Sequence, residues 1–292
     1  MAKLKEKGAH FLFLACASVS ILALVLITVF IFYRGLPAFL EIGPIRFLFG
    51  SEWQPEADIY GIWPMIVASI CLTGLSVGTS SLIGILSAVF MAELAPKSVR
   101  KILRPAVDLL SGIPSVVFGL FGMTILIPLV RNIAWYGFGM DVPGNGLLAG
   151  ALVLTLMILP SIIATTQDAL LAIPKSWREA SYALGASKMH TIFHVVVPAA
   201  KSGIITGVVL GVGRAIGETM AVILVSGNRP AMPDSIFAPI RSMTNNIALE
   251  MGYATGLHQD ALFSTGVVLF VFIMILNGIV RSVSSRKSRR DK

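Results

Sequence analysis

Long apolar runs alternate with shorter polar stretches along the whole chain. Six runs stand out, at residues 11–33, 62–93, 105–130, 147–166, 203–227 and 261–280. Each holds the ~20 residues that a helix needs to cross a bilayer at 1.5 Å per residue. The pattern predicts an all-α integral membrane fold with six transmembrane helices. The run at 62–93 is longer than one crossing requires, which predicts a tilted helix or one that projects beyond the bilayer. Residues 34–61, 131–146 and 228–260 separate the runs on one side. They are rich in Pro and Gly, with Trp53, Tyr60, Trp63, Trp135 and Tyr136 in or beside them. Two readings of these aromatics stand: an interfacial belt, or a docking surface for an extracytoplasmic partner. Pro and Gly also recur inside the runs, as at Gly112 and Pro114, and predict bent, closely packed helices. Gly74 and Gly78 form a small-xxx-small pair of the kind that brings two helices together.

Composition agrees with this pattern. Hydrophobic residues make up 55% of the 292, and charged residues only 13%, against about 25% in a soluble globule. The mean hydropathy is +0.84. The net charge of +8 does not point to nucleic acid, because the cations lie beside the runs and not on one basic face. They report topology. Residues 1–10, 97–104, 175–201 and 281–292 hold 17 of the 23 Lys and Arg, and the loops at 34–61, 131–146 and 228–260 hold 5. The positive-inside bias places both termini in the cytoplasm, in contact with membrane lipids at the cell's inner membrane. The chain reads as one membrane unit over 1–292: a first span and outer loop (1–60), a core (61–280) with a long inner loop (167–202), and a basic tail (281–292).

Little of the remaining chemistry is catalytic. Cys16 and Cys71 both fall in apolar runs and read as small buried hydrophobes. The first run exceeds the ~7–15-residue core of a cleaved signal and is expected to be retained. His10, His190, His194 and His258 have no metal-like spacing, so no metal site is expected. Glu93 and Asp108 sit near span ends and read as interfacial. No G-x-x-x-x-G-K-[ST] occurs, so no nucleotide or other cofactor is expected on this chain.

The inner loop has its own pattern. Pro174 stops the preceding helix. Ser176 and Glu179 fit a capping box, with Ser176 as N-cap. Gly185 suits the left-handed residue that ends a helix, and a second helical stretch runs toward Pro198. Glu179, Ala180 and Ser181, then Gly185, then Val195, Val197 and Pro198 follow the spacing E-A-A, three residues, G, nine residues, I-x-L-P. That spacing resembles the EAA loop of ABC importer permeases, with Ser181, Val195 and Val197 as departures. The resemblance implies the type I permease fold and a loop that inserts into a groove of a separate ATPase. Glu179, Ala180, Ser181 and Gly185 would then transmit ATP-driven motion.

The fifth run carries charge where lipid is expected. Arg214 lies ~16 Å into the helix, and Glu218 follows one turn later. An arginine at that depth costs roughly 2.5–3.5 kcal/mol on insertion scales. At 100° per residue, Gly203, Gly207, Gly211, Arg214 and Glu218 share a stripe, which predicts close packing against a neighbour. Two readings stand. Arg214 and Glu218, four apart, pair with each other and cancel. Alternatively Arg214, Glu218 and the adjacent Thr219 line a path for an anion. Arginine's planar fork suits oxyanions, and a carboxylate beside it favours one that still carries a proton, such as hydrogen phosphate over sulfate.

The run RAIGETMAVILVSGN (214–228) resembles the signature of phosphate ABC transporter permeases of the PstC type. So do SGIPSVVFGLFG (111–122), YGIWPMI (60–66) and the stretch from MTNNIALEMG to HQDALF (243–263). The resemblance covers most of the chain. It implies a non-enzymatic transport subunit that works with a PstA-type permease, two copies of a PstB-type ATPase and a PstS-type phosphate-binding protein. A permease for another oxyanion (phosphonate, sulfate or molybdate), a transporter or channel acting alone, and a membrane scaffold are the alternatives.

Overall fold

A computed structural model describes the backbone of residues 2–288 and the side chains of residues 10–278. Lys3, Lys5, Lys7 and the side chains of the basic tail lie outside the described residues. Helix α1 (Ala2–Ile42) leads through α2 (Pro44–Phe49) to a small antiparallel hairpin, β1 (Trp53–Gln54) and β2 (Ile59–Tyr60), in which Trp53 faces Tyr60. Helix α3 (Trp63–Val89) ends in a π-helical turn, Phe90–Leu94. Then come α4 (Lys97–Ser111), α5 (Ser115–Phe121), a π turn at Gly122–Leu126, α6 (Ile127–Phe138) and α7 (Leu147–Leu171). The loop at 167–202 carries α8 (Lys175–Ala183), α9 (Lys188–Thr191), a π turn at Ile192–Val196 and α10 (Val197–Ala199). Helices α11 (Lys201–Gly217), α12 (Met220–Val225), α13 (Met243–Glu250) and α14 (Gly256–Ser288) complete the chain.

Five stretches are long and apolar enough to cross a bilayer: His10–Ile42, Trp63–Leu94, Ser115–Phe138, Leu147–Leu171 and Gly256–Gly278. In the fifth run, Lys201–Gly217 passes the same test only together with Lys188–Ala199, which is bent 66° away from it, so a sixth crossing counts only where the two are one span. One predicted run is displaced. The run at 105–130 divides at Gly112–Pro114, because Pro114 lacks an N–H and disfavours helix in the residue before it. The third span is therefore Ser115–Phe138. Helix α4 ahead of it is amphipathic and buries none of its residues.

Helix α7 is the central post. It packs most extensively on α3 and α11, and Leu154, Ile158 and Ile162 are fully buried along it. The fifth run lies antiparallel along its whole length. A Cβ added to Gly203 would overlap that of Ala169, and one on Gly207 would lie 3.2 Å from the Thr165 Cβ. One on Gly211 would lie 3.1 Å from Ile162 Cδ1. At the far end the Gly146 N–H donates to the Val225 carbonyl at 2.9 Å. The glycine stripe thus sets the approach of α11 to α7, as small residues do where no hydrophobic effect drives helices together. Within this chain the Gly74 and Gly78 pair meets no neighbouring helix. Nothing lies within 4 Å of a Cβ at either position. Helices α1 and α14 pack at the edge, through Phe30 on Phe263 and Phe32 on Phe270.

At the α13 end of the molecule the hairpin and helices are tied by one carboxylate. Glu250, 8% exposed, accepts from Arg241 Nη1 at 2.5 Å, Trp53 Nε1 at 2.9 Å and His258 Nε2 at 2.8 Å. Arg241 also donates to Asn246 Oδ1 and to the Asn228 carbonyl. Trp53 and Tyr60 are buried in this hub, so neither belongs to an interfacial belt or an open docking surface. Burial, with the Asp58 carboxylate that accepts its hydroxyl, raises the Tyr60 pKa to about 12. The phenol therefore stays neutral. Trp135 and Tyr136 are exposed, as a belt requires.

Two stability outcomes follow. Gly203→Ala is expected to lower stability by about 1–3 kcal/mol through overpacking, and adding Ala169→Gly to recover most of it. Glu250→Ala is expected to cost about 3–5 kcal/mol, because it leaves Arg241 buried without its partner. Thermal unfolding in detergent micelles measures both.

Candidate functional site

Two places hold the residues singled out in the sequence: a break in the fifth span, and the loop at 167–202.

At the break, helical geometry stops at Gly217. Glu218 is extended, with φ −72° and ψ 125°, and helix resumes at Met220. Glu218 therefore does not lie one turn above Arg214, and the two form no ion pair among the described residues. The backbone groups freed by the break find partners among nearby side chains. Glu218 Oε1 accepts from the Ala221 N–H at 3.2 Å. The Thr219 hydroxyl donates to the Gly217 carbonyl at 3.2 Å, and the Thr244 hydroxyl to the Glu218 carbonyl at 3.4 Å. Such satisfaction is required at membrane depth, where an unpaired peptide group costs several kcal/mol. Glu218 and Thr219 are thus the residues that make the break stable.

Arg214 stays in the helix, half-buried, and leans on α7. Its Nη1 donates to Ser161 Oγ at 3.5 Å, a long and weak bond. No carboxylate lies within 4 Å of it among the described residues. The second oxygen of Glu218 likewise makes no hydrogen bond among them. The face of α11 beside Arg214 is open. Leu210 on α11 and Met220 at the start of α12 are more than half exposed, and a Cβ on Gly213 or Gly217 would meet nothing within 4 Å. One face of α11 is therefore packed on α7, the other is uncovered, and Arg214 sits at the border.

In the loop at 167–202, helix α8 begins at Lys175 with Pro174 as its N-cap, so the expected Ser176–Glu179 capping box does not form. Proline fixes its own φ at a value that suits the entry to a helix, and this starts the helix one residue before Ser176 could cap it. Gly185 adopts the expected left-handed conformation, φ +83°. Ser187 caps the next helix by accepting from the His190 N–H at 3.3 Å. Glu179 and Ala180 are exposed, beside exposed Trp177, Tyr182 and Leu184. Ser181 is buried and its hydroxyl meets that of Thr191 at 2.8 Å, which joins α8 to α9. A concave cavity of about 690 Å³ opens here, lined by Trp177, Ala180, Leu184, Gly185, His190 and Val195.

Sequence reasoning missed how α8 is fastened to the spans. Arg178 Nη2 lies 2.6 Å from Glu93 Oε1, on the π turn that ends α3, and Nε lies 3.4 Å from Oε2. Nη1 donates to the Ile173 carbonyl and Nη2 to the Leu170 carbonyl at the end of α7. Glu93 is not an interfacial charge but a nearly buried one, 10% exposed. Only its distance in sequence from Arg178, 85 residues, hid the pair. Asp108 is exposed, as expected.

The chain resembles known proteins in sequence and in fold. Residues 80–289 match the family described as "Binding-protein-dependent transport system inner membrane component". The chain is 42% identical over 291 residues to the "Probable ABC transporter permease protein YqgH" of Bacillus subtilis (strain 168), covering 98% of this chain and 93% of that protein. It is 34% identical over 262 residues to the "Phosphate transport system permease protein PstC" of Pasteurella multocida (strain Pm70), covering 84% and 81%. Among solved structures, the MetNI methionine ABC transporter in an inward-facing conformation matches with a TM-score of 0.59 at 19% identity, over 82% of this chain and 100% of that one. An importer of the acidic polysaccharide alginate matches with a TM-score of 0.59 at 17% identity, over 91% and 95%. These last two establish the ABC importer permease fold. With at least five helices long and apolar enough to cross a bilayer and a family match over residues 80–289, this chain belongs to the multi-pass inner-membrane components of binding-protein-dependent transport systems.

Proposed function

We propose that this chain is one half of the membrane channel of an ATP-driven importer of inorganic phosphate. The observation that carries the reading is Arg214: a guanidinium inside a membrane span, without a carboxylate partner, at the edge of an uncovered helix face and beside a backbone break. Irregular backbone at that depth is tolerated where it lines a polar cavity or is buried in protein, and discontinuous helices mark the binding sites of many transporters. The PstC relative of Pasteurella multocida supplies the substrate. Arg214 offers two N–H groups to two phosphate oxygens. The second oxygen of Glu218 accepts a hydrogen bond from the P–OH group that hydrogen phosphate keeps and sulfate lacks. Thr219 holds the break that places Glu218.

Both termini lie in the cytoplasm on this reading, as the Lys and Arg bias requires. A PstS-type binding protein delivers phosphate at the end that carries α13 and the hairpin. A PstA-type permease covers the open face of α11. Two PstB-type ATPases hold the Trp177–Gly185 elbow, where exposed Trp177, Tyr182 and Leu184 offer apolar contact. ATP binding there drives the spans between inward- and outward-open arrangements, and the chain itself hydrolyses nothing.

The test is Arg214→Gln in the assembled complex, reconstituted in vesicles. Phosphate uptake is expected to fall about ten- to a hundred-fold, in line with the loss of charge-assisted hydrogen bonds, with all subunits still assembled. Sulfate and molybdate are expected not to compete with phosphate. Uptake of sulfate or molybdate in place of phosphate would overturn the substrate, and unchanged phosphate uptake would overturn the role of Arg214.

A further inference from the structure

Helix α8 touches the rest of the molecule through few groups. Ser181 is its only buried residue, and the Ser181–Thr191 contact joins it to α9, within the same loop. What holds α8 to the spans is Arg178. All three of its side-chain nitrogens are occupied: Nε and Nη2 by Glu93, Nη1 by the Ile173 carbonyl, and Nη2 also by the Leu170 carbonyl. Arg178 is 16% exposed and Glu93 10%. The chain connects α8 directly to α7 on one side and, through α9 and α10, to α11 on the other. Nothing in the chain connects it to α3, which lies 85 residues away at Glu93. The ion pair is therefore the link through which a displacement of α8 acts on α3 as well.

We propose that Arg178 and Glu93 form the mechanical joint between the coupling elbow and the second span. Resting on the transport function proposed above, the inference adds a positioning role for two residues outside both the substrate path and the EAA spacing. The physical case is one of stiffness. A bidentate guanidinium–carboxylate pair fixes direction as well as distance, which a single point contact does not. Partial burial limits its screening by salt, so the joint holds under cytoplasmic conditions. The two carbonyl bonds add the end of α7 to the same guanidinium. A push on α8 then moves α3 and α7, the two most closely packed helices, as one body. Without the pair, α8 would act on α3 only indirectly, through the packing of α3 on α7.

The test separates force transmission from simple scaffolding. Arg178→Cys and Glu93→Cys are combined in a chain whose Cys16 and Cys71 are replaced by Ser, and the whole complex is assembled. Phosphate uptake and ATP hydrolysis are measured on the same vesicles, before and after the two thiols are bridged by a short bifunctional maleimide. Before bridging, uptake is expected to fall about ten-fold relative to ATP hydrolysis, the scale of a typical coupling between sites. After bridging, the uptake-to-hydrolysis ratio is expected to return to within about three-fold of the parent. Arg178→Lys, which keeps the charge and loses the fork, is expected to fall between the two. An unchanged ratio before bridging would overturn the joint, and so would an assembled complex that bridging does not restore. Failure of the unbridged chain to assemble would also overturn it, by assigning the pair to scaffolding. If the parent complex itself moves no phosphate, the transport reading has failed, not the joint.

Discussion

Inside a bilayer, backbone that leaves its helix is tolerated only where it is buried in protein or lines a water-filled cavity. The fifth span leaves its helix at Glu218 and Thr219, and much of the surrounding structure is arranged so that it can. Glu218 takes the Ala221 N–H, Thr219 serves the Gly217 carbonyl, and Thr244 reaches in from α13 to serve the Glu218 carbonyl. Helix α13 is in turn held by Glu250, through Arg241, to the Asn228 carbonyl just beyond α12. The buried hub and the break are thus consecutive parts of one support. The glycine stripe fixes the other half of the span on α7, so that the discontinuity stays local.

This arrangement separates two roles that the sequence merges. In the run RAIGET the charges stand four apart, which on an unbroken helix makes them partners. The break turns Glu218 into a cap of the next helical turn and leaves Arg214 against Ser161. A paired arginine would be an internal strut, whereas an unpaired one retains its donors for a ligand. That difference comes from backbone geometry, not from a change of residue type.

Much of the fold could be read from the chain because hydropathy is a long signal. The six runs, the close packing at Gly203, Gly207 and Gly211, and the left-handed Gly185 all rest on local composition or on residues with few conformational options. The errors came where a short-range signal met competition. Pro114 divided a run that hydropathy joined. Pro174 displaced the cap assigned to Ser176. Trp53 and Tyr60 looked interfacial because loop aromatics usually are, but Glu250, His258 and the hairpin enclose them. The Arg178–Glu93 pair had no local signal, since its members are brought together only by the return of α7 beside α3. The break itself was marked by no more than Gly217, one glycine in a stripe of them.

For Arg214 to meet phosphate, the break beside it must face a water-accessible path. Gly217 is the position to probe, because a Cβ there has open space around it, with no other part of the chain within 4 Å. Gly217→Cys is placed in a chain whose Cys16 and Cys71 are replaced by Ser, the complex is assembled in vesicles, and the rate of modification by a charged, membrane-impermeant thiol reagent is measured with and without phosphate. The account predicts modification by the charged reagent and slower modification when phosphate is present. Reaction with a lipid-soluble maleimide alone, at a rate that phosphate does not change, would place the break against lipid or a packed helix and contradict it.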